Sequence, residues 1–202
     1  ADLLVNRNIE TELLRAEGRN QGFEVFVKRR AKKWTGWLSY TYSTAEVRII
    51  EDAINGEVTI NDGAWFRANY DQPHNLRIVS DLKLGKRGSL GTSIVFNTGR
   101  PITGIEGNYT LGELNTPNFS DRNEVRIPNY FRVDVSATAG SLFRKLDDKL
   151  VFSIYNIMGR RNAYSVFFQK HENQDLQRPF QLAVLGSAFP SISYTIKIGV
   201  TK

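Results

Sequence analysis

Residues 131–139 have the sequence Phe-Arg-Val-Asp-Val-Ser-Ala-Thr-Ala, in which apolar and polar residues alternate without interruption. Successive side chains of a β-strand point to opposite faces, so this alternation predicts a strand with one apolar and one polar face. The same alternation, in places weaker, recurs at residues 21–30, 34–45, 75–84, 90–96, 150–157 and 192–200. The sequence therefore predicts an all-β chain of about seven strands, most near the roughly 9–11 residues that a tilted strand needs to cross a bilayer.

The connections between these segments alternate between short and long. Short connections fall at residues 31–33, 85–88 and 141–149, and long ones at 51–73, 99–128 and 159–190. In an antiparallel up-and-down sheet, alternate connections lie at the same end, so all short turns share one edge and all long loops the other. Outer-membrane barrels have this asymmetry, with short periplasmic turns and long extracellular loops. The pattern predicts an antiparallel up-and-down segment of a transmembrane β-barrel.

Composition excludes several classes of function. The 202 residues include no cysteine, which excludes a disulfide scaffold, a Cys-ligated metal site and a thiol nucleophile. The two histidines, His74 and His171, lack metal-ligand spacing, and no Gly-x-Ser-x-Gly motif of a serine hydrolase is present. No apolar run is long enough for a transmembrane helix. We therefore expect no enzyme activity, no metal and no cofactor.

The net charge of +6 raises the question of nucleic-acid binding, and the basic run at residues 28–33 is its strongest candidate. This run falls at a short connection between two predicted strands. We therefore expect a solvated turn there and no nucleic-acid partner. All six prolines fall between the predicted strands or at their first residues, as strand hydrogen bonding requires.

Two long connections carry candidate ligand-facing side chains. Residues 64–71 combine aromatic rings with hydrogen-bonding groups, and residues 118–126 mix Asn, Asp, Glu and Arg. Aromatic faces and planar polar groups suit sugars, peptides or metal chelates, although the same groups also suit packing of one loop on another. The candidates are Trp65, Phe66, Arg67, Asn69, Tyr70, Asn123 and Arg126.

Six phrases occur along the chain in a fixed order. They are GWLSYTYS at 36–43, NYD-x-x-H at 69–74, TGRP at 98–101, RIP-x-Y-x-RVDVS at 126–136, SIYN-x-x-GR-x-N-x-Y at 153–164 and PSISY at 190–194. Together they resemble the C-terminal part of the β-barrel of TonB-dependent outer-membrane receptors. The resemblance is greatest to the SusC-like subset that carries a carboxypeptidase-regulatory-like domain.

This resemblance implies a nutrient importer of the bacterial outer membrane, with a barrel of about 22 strands closed by a plug. Residues 1–202 would form the C-terminal portion of the barrel wall and its extracellular loops, without the plug and the N-terminal strands. The implied substrates are ferric chelates, glycans or peptides. The implied partners are the rest of the receptor, TonB through its N-terminal part, a surface lipoprotein lid, and outer-membrane lipid and lipopolysaccharide.

Two other interpretations remain open at this stage. A complete small outer-membrane barrel with a structural or adhesive role would need an eighth strand from residues 1–17. The charges of Arg7, Glu10, Glu12, Arg15 and Glu17 argue against membrane crossing there. A soluble, basic β-sandwich would bind polysaccharide or nucleic acid, and would bury its aliphatic side chains against a second layer. The environment of the aliphatic row separates these interpretations.

Overall fold

The computed structural model describes residues 14–51, 60–111, 114–140, 147–171 and 174–197. Seven long strands form one antiparallel sheet: β1 (Arg15–Arg30), β2 (Trp34–Glu51), β4 (His74–Leu84), β5 (Gly88–Asn97), β10 (Tyr130–Gly140), β11 (Asp147–Tyr155) and β14 (Phe189–Lys197). The connections hold the other strands: β3 (Phe66–Arg67), β6 (Pro101–Ile102), β7 (Ile105–Leu111), β8 (Leu114–Phe119), β9 (Val125–Arg126), β12 (Ala163–His171) and β13 (Gln174–Ala183). A 3-10 turn at Asn61–Gly63 is the one helical element among the described residues.

The large sheet follows chain order. Its strands neighbour one another as β1-β2-β4-β5-β10-β11-β14, each pair is antiparallel, and β3 adds to β2. This confirms the predicted all-β, antiparallel, up-and-down arrangement of about seven strands. The first strand begins at Arg15 rather than at residue 21, and the last ends at Lys197, while residues 198–202 lie outside the described part.

The long connections contain more structure than the sequence predicted. β7 pairs with β8 and β12 pairs with β13, so two of the long connections form hairpins of their own. Pro117 and Pro179 lie inside β8 and β13, which corrects the expectation that every proline falls between strands or at a strand's first residues. Each hairpin is two-stranded, and an edge strand tolerates proline because its N–H need not join a ladder.

The register divides the large sheet into two faces. Directly paired residues share a face, so Leu76 lies in one row with Phe96 and Phe131, and Ile78 lies in the next row of that face with Ile94 and Val133. We call this the apolar face. It comprises Phe23, Val25, Val27, Trp34, Leu38, Tyr40, Tyr42, Leu76, Ile78, Leu82, Leu84, Leu90, Ile94, Phe96, Phe131, Val133, Val135, Leu150, Phe152, Ile154, Ile192, Tyr194 and Ile196.

The opposite side of the sheet, which we call the polar face, is rich in charged and hydroxyl side chains. It includes Glu24, Lys28, Ser39, Thr41, Arg77, Asp81, Lys83, Ser93, Arg132, Asp134, Ser136, Ser153, Ser191 and Thr195.

The apolar face is not covered by a second layer of described residues. Ile192 is 72% exposed, Phe23 57% and Leu84 50%. The buried apolar residues of the described part lie in the connections, at the start of β12 and on the far end of β2: Ala45, Ile49, Ala68, Ile127 and Ala163. The sheet is therefore a single layer, and its apolar side chains have no core of their own.

The apolar face shifts along the strands from one edge of the sheet to the other. On β1 the apolar run begins at Phe23, in the row of His74 of β4, whereas on β14 it begins at Pro190, in the row of Ser80. Six residues correspond to about 20 Å along a strand, and the six strand spacings between β1 and β14 to about 29 Å. The apolar residues of this face therefore form a band across the sheet, the apolar band, whose direction is roughly 35° from the perpendicular to the strands.

The close pairing of β2 and β4 depends on the absence of a side chain at Gly36. A Cβ atom there would lie 2.6 Å from the backbone oxygen of Val79 on the neighbouring strand. We expect Gly36→Ala to lower the free energy of unfolding by about 1–3 kcal/mol, because a strand backbone must move to admit the methyl group.

Gly107 provides a matched control for this substitution. A Cβ atom there meets nothing within 4 Å, so Gly107→Ala should change the free energy of unfolding by less than about 0.5 kcal/mol. Urea unfolding followed by tryptophan fluorescence measures both variants. Equal stability of the two would contradict the register between β2 and β4.

Candidate functional site

Trp65 contacts two arginines at the long-loop end of the sheet. The guanidinium carbon of Arg19 is 4.3 Å from the Trp65 ring centroid, and that of Arg48 is 5.0 Å away. Each arginine is held by a carboxylate of the neighbouring strand: Arg19 Nε lies 2.7 Å from Glu46 Oε2, and Arg48 Nη2 lies 2.6 Å from Glu17 Oε2. The indole thus stacks on the protein's own cations, a contact that fixes its orientation.

Phe66 and Arg67 form β3, which extends the sheet beside the far end of β2. Arg67 pairs with Glu46 and Phe66 with Val47. The Arg67 side chain leaves this strand and donates from Nη1 to the backbone oxygen of Glu124, at 2.7 Å. Backbone pairing therefore fixes this part of the first long connection, and Arg67 ties it to the second.

Asn123, in the second long connection, also bonds to residues of the first. Its Nδ2 donates to the backbone oxygen of Arg67 at 2.6 Å and to Asn69 Oδ1 at 2.7 Å, and its backbone N–H donates to Thr103 Oγ1 at 3.2 Å. Asn123 is buried and has a φ of 59°, in the left-handed region that asparagine adopts more readily than most residues. The side chain of Asn123 is thus an internal connector.

The partly exposed Arg126 forms an ion pair with the buried carboxylate of Asp71, a residue absent from the predicted set. Arg126 Nη2 pairs with Asp71 Oδ2, and Arg126 Nη1 donates to the backbone oxygens of Asp71 at 2.8 Å and Gly99 at 2.9 Å. The other carboxylate oxygen, Asp71 Oδ1, accepts the N–H of Ala45 at 2.7 Å. Asp71 therefore links the end of the first connection to both β2 and the second connection.

Of the seven predicted residues, Arg67, Asn69, Asn123 and Arg126 make contacts between the two connections, while Trp65 and Phe66 contact β1 and β2. A cavity of about 240 Å³ opens beside these residues, lined by Glu46, Asn61, Trp65, Phe66, Arg67, Asp121, Arg122, Asn123 and Glu124. The seventh, Tyr70, lies at the surface with 66% of its area exposed. The Tyr70 ring and the cavity are thus open to solvent, whereas Asn123 and Arg126 are engaged in contacts that link the loops.

A second cluster, on the polar face, was not predicted as a site. Arg132 donates from Nη1 to the hydroxyl groups of Tyr130 at 2.9 Å and Tyr155 at 2.7 Å, and its Nε lies 3.1 Å from Asp134 Oδ2. The period-two spacing of Tyr130, Arg132 and Asp134 places them on one face. Tyr155 joins them because β11 pairs with β10, a neighbour relation that the residue spacing does not contain.

Asn156 anchors the turn that follows β11. It is 1% exposed with a φ of 50°, and its Nδ2 donates to the backbone oxygens of Arg160 at 3.0 Å and Leu185 at 3.2 Å. Its own N–H donates to Asp134 Oδ1 at 2.9 Å, which connects the turn to the arginine–tyrosine cluster. A cavity of about 440 Å³ lies between this turn and Arg132, with Gln72 and Arg100 on its other walls.

Comparison of the chain with protein-family models, with curated proteins and with solved structures finds no match. Among the described residues, no helix has the length and hydropathy of a membrane span. In the same residues, no three His, Asp or Glu side chains come together as a metal site.

The ion pair between Asp71 and Arg126 should hold the loop network together. We expect Asp71→Asn to lower the free energy of unfolding by about 3 kcal/mol, because it leaves a largely buried guanidinium without its counter-charge. The double variant Asp71→Asn/Arg126→Gln should cost at least about 1 kcal/mol less than the sum of the two single variants. Urea unfolding measures all three.

Arg122 lies in the same connection and is exposed, so Arg122→Gln serves as the control and should stay within about 0.5 kcal/mol of the parent chain. Additive effects of the two substitutions, or an Asp71→Asn variant as stable as the control, would show that the pair does not hold the loops.

Proposed function

We propose that this chain forms part of the wall and the extracellular loops of an outer-membrane transport barrel that takes up nutrients with energy from TonB. The observation that carries the proposal is the exposed, staggered apolar face lying opposite a polar face in a single-layered sheet. Such a sheet fits between lipid on one side and a water-filled lumen on the other.

The dimensions of the apolar band agree with a bilayer. From Leu84 to His74 the strand β4 rises about 33 Å. Strands of outer-membrane barrels are tilted by roughly 35–45°, and a strand tilted by that amount spans about 25 Å along the membrane normal, the height of the apolar band of such barrels. The shift of the apolar face from strand to strand gives a similar angle independently. When strands are tilted, a band that lies parallel to the membrane plane crosses each successive strand at a different residue position.

The ends of the band carry the side chains expected at a membrane interface. At the long-loop end, the ring centroid of Tyr42 lies 5.8 Å from that of Phe23 and 5.2 Å from that of His74. Beyond this aromatic cluster the same face of β1 and β2 carries the Arg19–Glu46 ion pair. A change from aliphatic to aromatic to charged side chains matches the passage from acyl chains through the headgroups to water.

The polar face supports the assignment of a wet interior. Arg77, Asp81, Arg132 and Asp134 project from the central strands on this side. Charged side chains at such a depth would be costly against lipid and are at home in a water-filled lumen. The sheet therefore has one side suited to hydrocarbon and one suited to water.

The two other interpretations have less support. A soluble sandwich would cover the aliphatic row with a second sheet, whereas the described residues leave Phe23 and Ile192 exposed. A complete small barrel would join its edge strands, whereas β1 and β14 are not paired with each other in the described part. The dependence on TonB and the nutrient cargo come from the sequence resemblance, which also favours a large barrel.

Adjacent cysteines on β5 test the two environments. Ser93 is on the polar face and Ile94 on the apolar face, and the parent chain has no cysteine. In intact outer membranes we expect Ser93→Cys to react with a small charged thiol reagent at least about tenfold faster than Ile94→Cys, because hydrocarbon disfavours the reactive thiolate. A lipid-soluble maleimide should label Ile94→Cys.

Unfolding in hot detergent should abolish the difference between the two variants and thus serves as the control. Rapid reaction of Ile94→Cys with the charged reagent would refute contact of the apolar face with lipid, as would recovery of the protein in the soluble fraction.

A further inference from the structure

The short-turn end of the sheet carries a dense group of positive charges, which we call the basic rim. It comprises Arg29, Lys32, Lys33, Lys86 and Arg87, which lie in two short turns or on the apolar face beside them. All five residues are exposed, whereas Lys28, Arg30 and Lys83 project from the polar face. The sequence explained the run at residues 28–33 as a solvated turn, which leaves open what these charges do.

The fold brings the two turns of the basic rim together. The backbone N–H of Lys83 donates to the backbone oxygen of Lys33 at 2.8 Å, so the turn after β4 sits beside the turn after β1. The backbone oxygen of Arg87 accepts the N–H of Gly140 at 2.6 Å, which fixes the second turn against β10. Charges separated by more than fifty residues in sequence therefore form one surface.

Within the described residues, no carboxylate lies at ion-pair distance from a residue of the basic rim. The pairs Arg19–Glu46, Arg48–Glu17, Arg126–Asp71 and Arg132–Asp134 all lie away from it. Unneutralised positive charge at this density attracts polyanions.

The basic rim also borders directly on the apolar face. Trp34, Leu82 and Leu84 close the apolar face at this end, and all three are at least 41% exposed. The guanidinium carbon of Arg29 lies 5.1 Å from the Trp34 ring centroid. Tryptophan beside arginine, at the boundary of an apolar surface, is the side-chain pairing found at the headgroup level of membranes.

We propose that the basic rim binds the phosphate groups of acidic phospholipids in the membrane leaflet at the short-turn end of the sheet. The proposal rests on the proposed function, since it requires the apolar face to lie in the acyl chains beneath those headgroups. Long Lys and Arg side chains reach from the sheet end to the headgroup phosphates, and anionic lipids attract basic segments at the membrane surface.

Nucleic acid is the other polyanion that such a charge density fits, but the placement of the rim favours lipid. A nucleic acid would contact only the turns, whereas a phospholipid would contact the turns with its phosphate and the adjoining Leu82 and Leu84 with its acyl chains. A ligand with both a charged and an apolar part matches both surfaces.

The test uses the full-length protein purified in detergent and equilibrated with equal amounts of phosphatidylglycerol and phosphatidylcholine, with bound lipids counted by native mass spectrometry. The wild type should retain phosphatidylglycerol in preference, and the preference should fall as salt is added. In the variant Lys32→Gln/Lys33→Gln/Lys86→Gln/Arg87→Gln, the ratio of bound phosphatidylglycerol to bound phosphatidylcholine should fall about fivefold for each charge removed.

Two matched variants separate charge from other effects. Lys32→Arg/Lys33→Arg/Lys86→Arg/Arg87→Lys keeps the charge and should keep the preference. Arg122→Gln/Arg161→Gln lowers the net charge at the long-loop end and should leave the preference unchanged.

The outcomes are distinguishable. Equal retention of the two lipids by the wild type, or an unchanged preference in the four-glutamine variant, overturns the assignment of the rim to lipid while leaving the membrane proposal in place. Salt-sensitive binding of duplex DNA that the glutamine variant loses, without a lipid preference, would assign the rim to nucleic acid. Failure to retain either lipid or to float with phosphatidylcholine vesicles would overturn the membrane proposal itself.

Discussion

One constraint governs this molecule: a single sheet cannot bury its own apolar face. Backbone hydrogen bonding between neighbouring strands satisfies the polar groups of the chain within the sheet, but side chains such as Phe23 and Ile192 remain exposed. Apolar surface of this extent needs an apolar surrounding, which for a soluble protein is a second layer and for a barrel wall is lipid. The stagger of the apolar face across the sheet supports the proposal that this surrounding is lipid, because tilted barrel strands require such a stagger.

The long-loop end is held by a different kind of interaction. Asp71, Asn123 and Asn156 are buried polar residues whose side chains bond to distant backbone groups, those of Ala45, Arg67 and Leu185. Because each connects segments far apart in sequence, the long connections are tied to one another at this end of the sheet. Such ties hold exposed groups such as Tyr70 and the lining of the two cavities in defined positions, which a recognition surface requires.

The sequence was sufficient to predict the large sheet, since alternation and the lengths of the connections are local signals. It placed the start of the first strand too late, because residues 15–20 pair through ions such as Arg19 with Glu46 rather than through an apolar alternation. It also gave no indication of the hairpins within the long connections. Asp71 was missed because its partner Arg126 is 55 residues away, and the grouping of Tyr155 with Arg132 requires knowledge of strand neighbours.

Nitroxide scanning along residues 131–139 of the full-length protein in its membrane tests the two-sided sheet most directly. Accessibility to oxygen, which concentrates in acyl chains, should peak at Val133 and Val135, and accessibility to a water-soluble nickel complex should peak at Arg132 and Asp134. The two patterns should alternate with a period of two residues and in opposite phase. Apolar positions inaccessible to both relaxing agents would show that a second protein layer covers them, and would contradict the placement of this face in lipid.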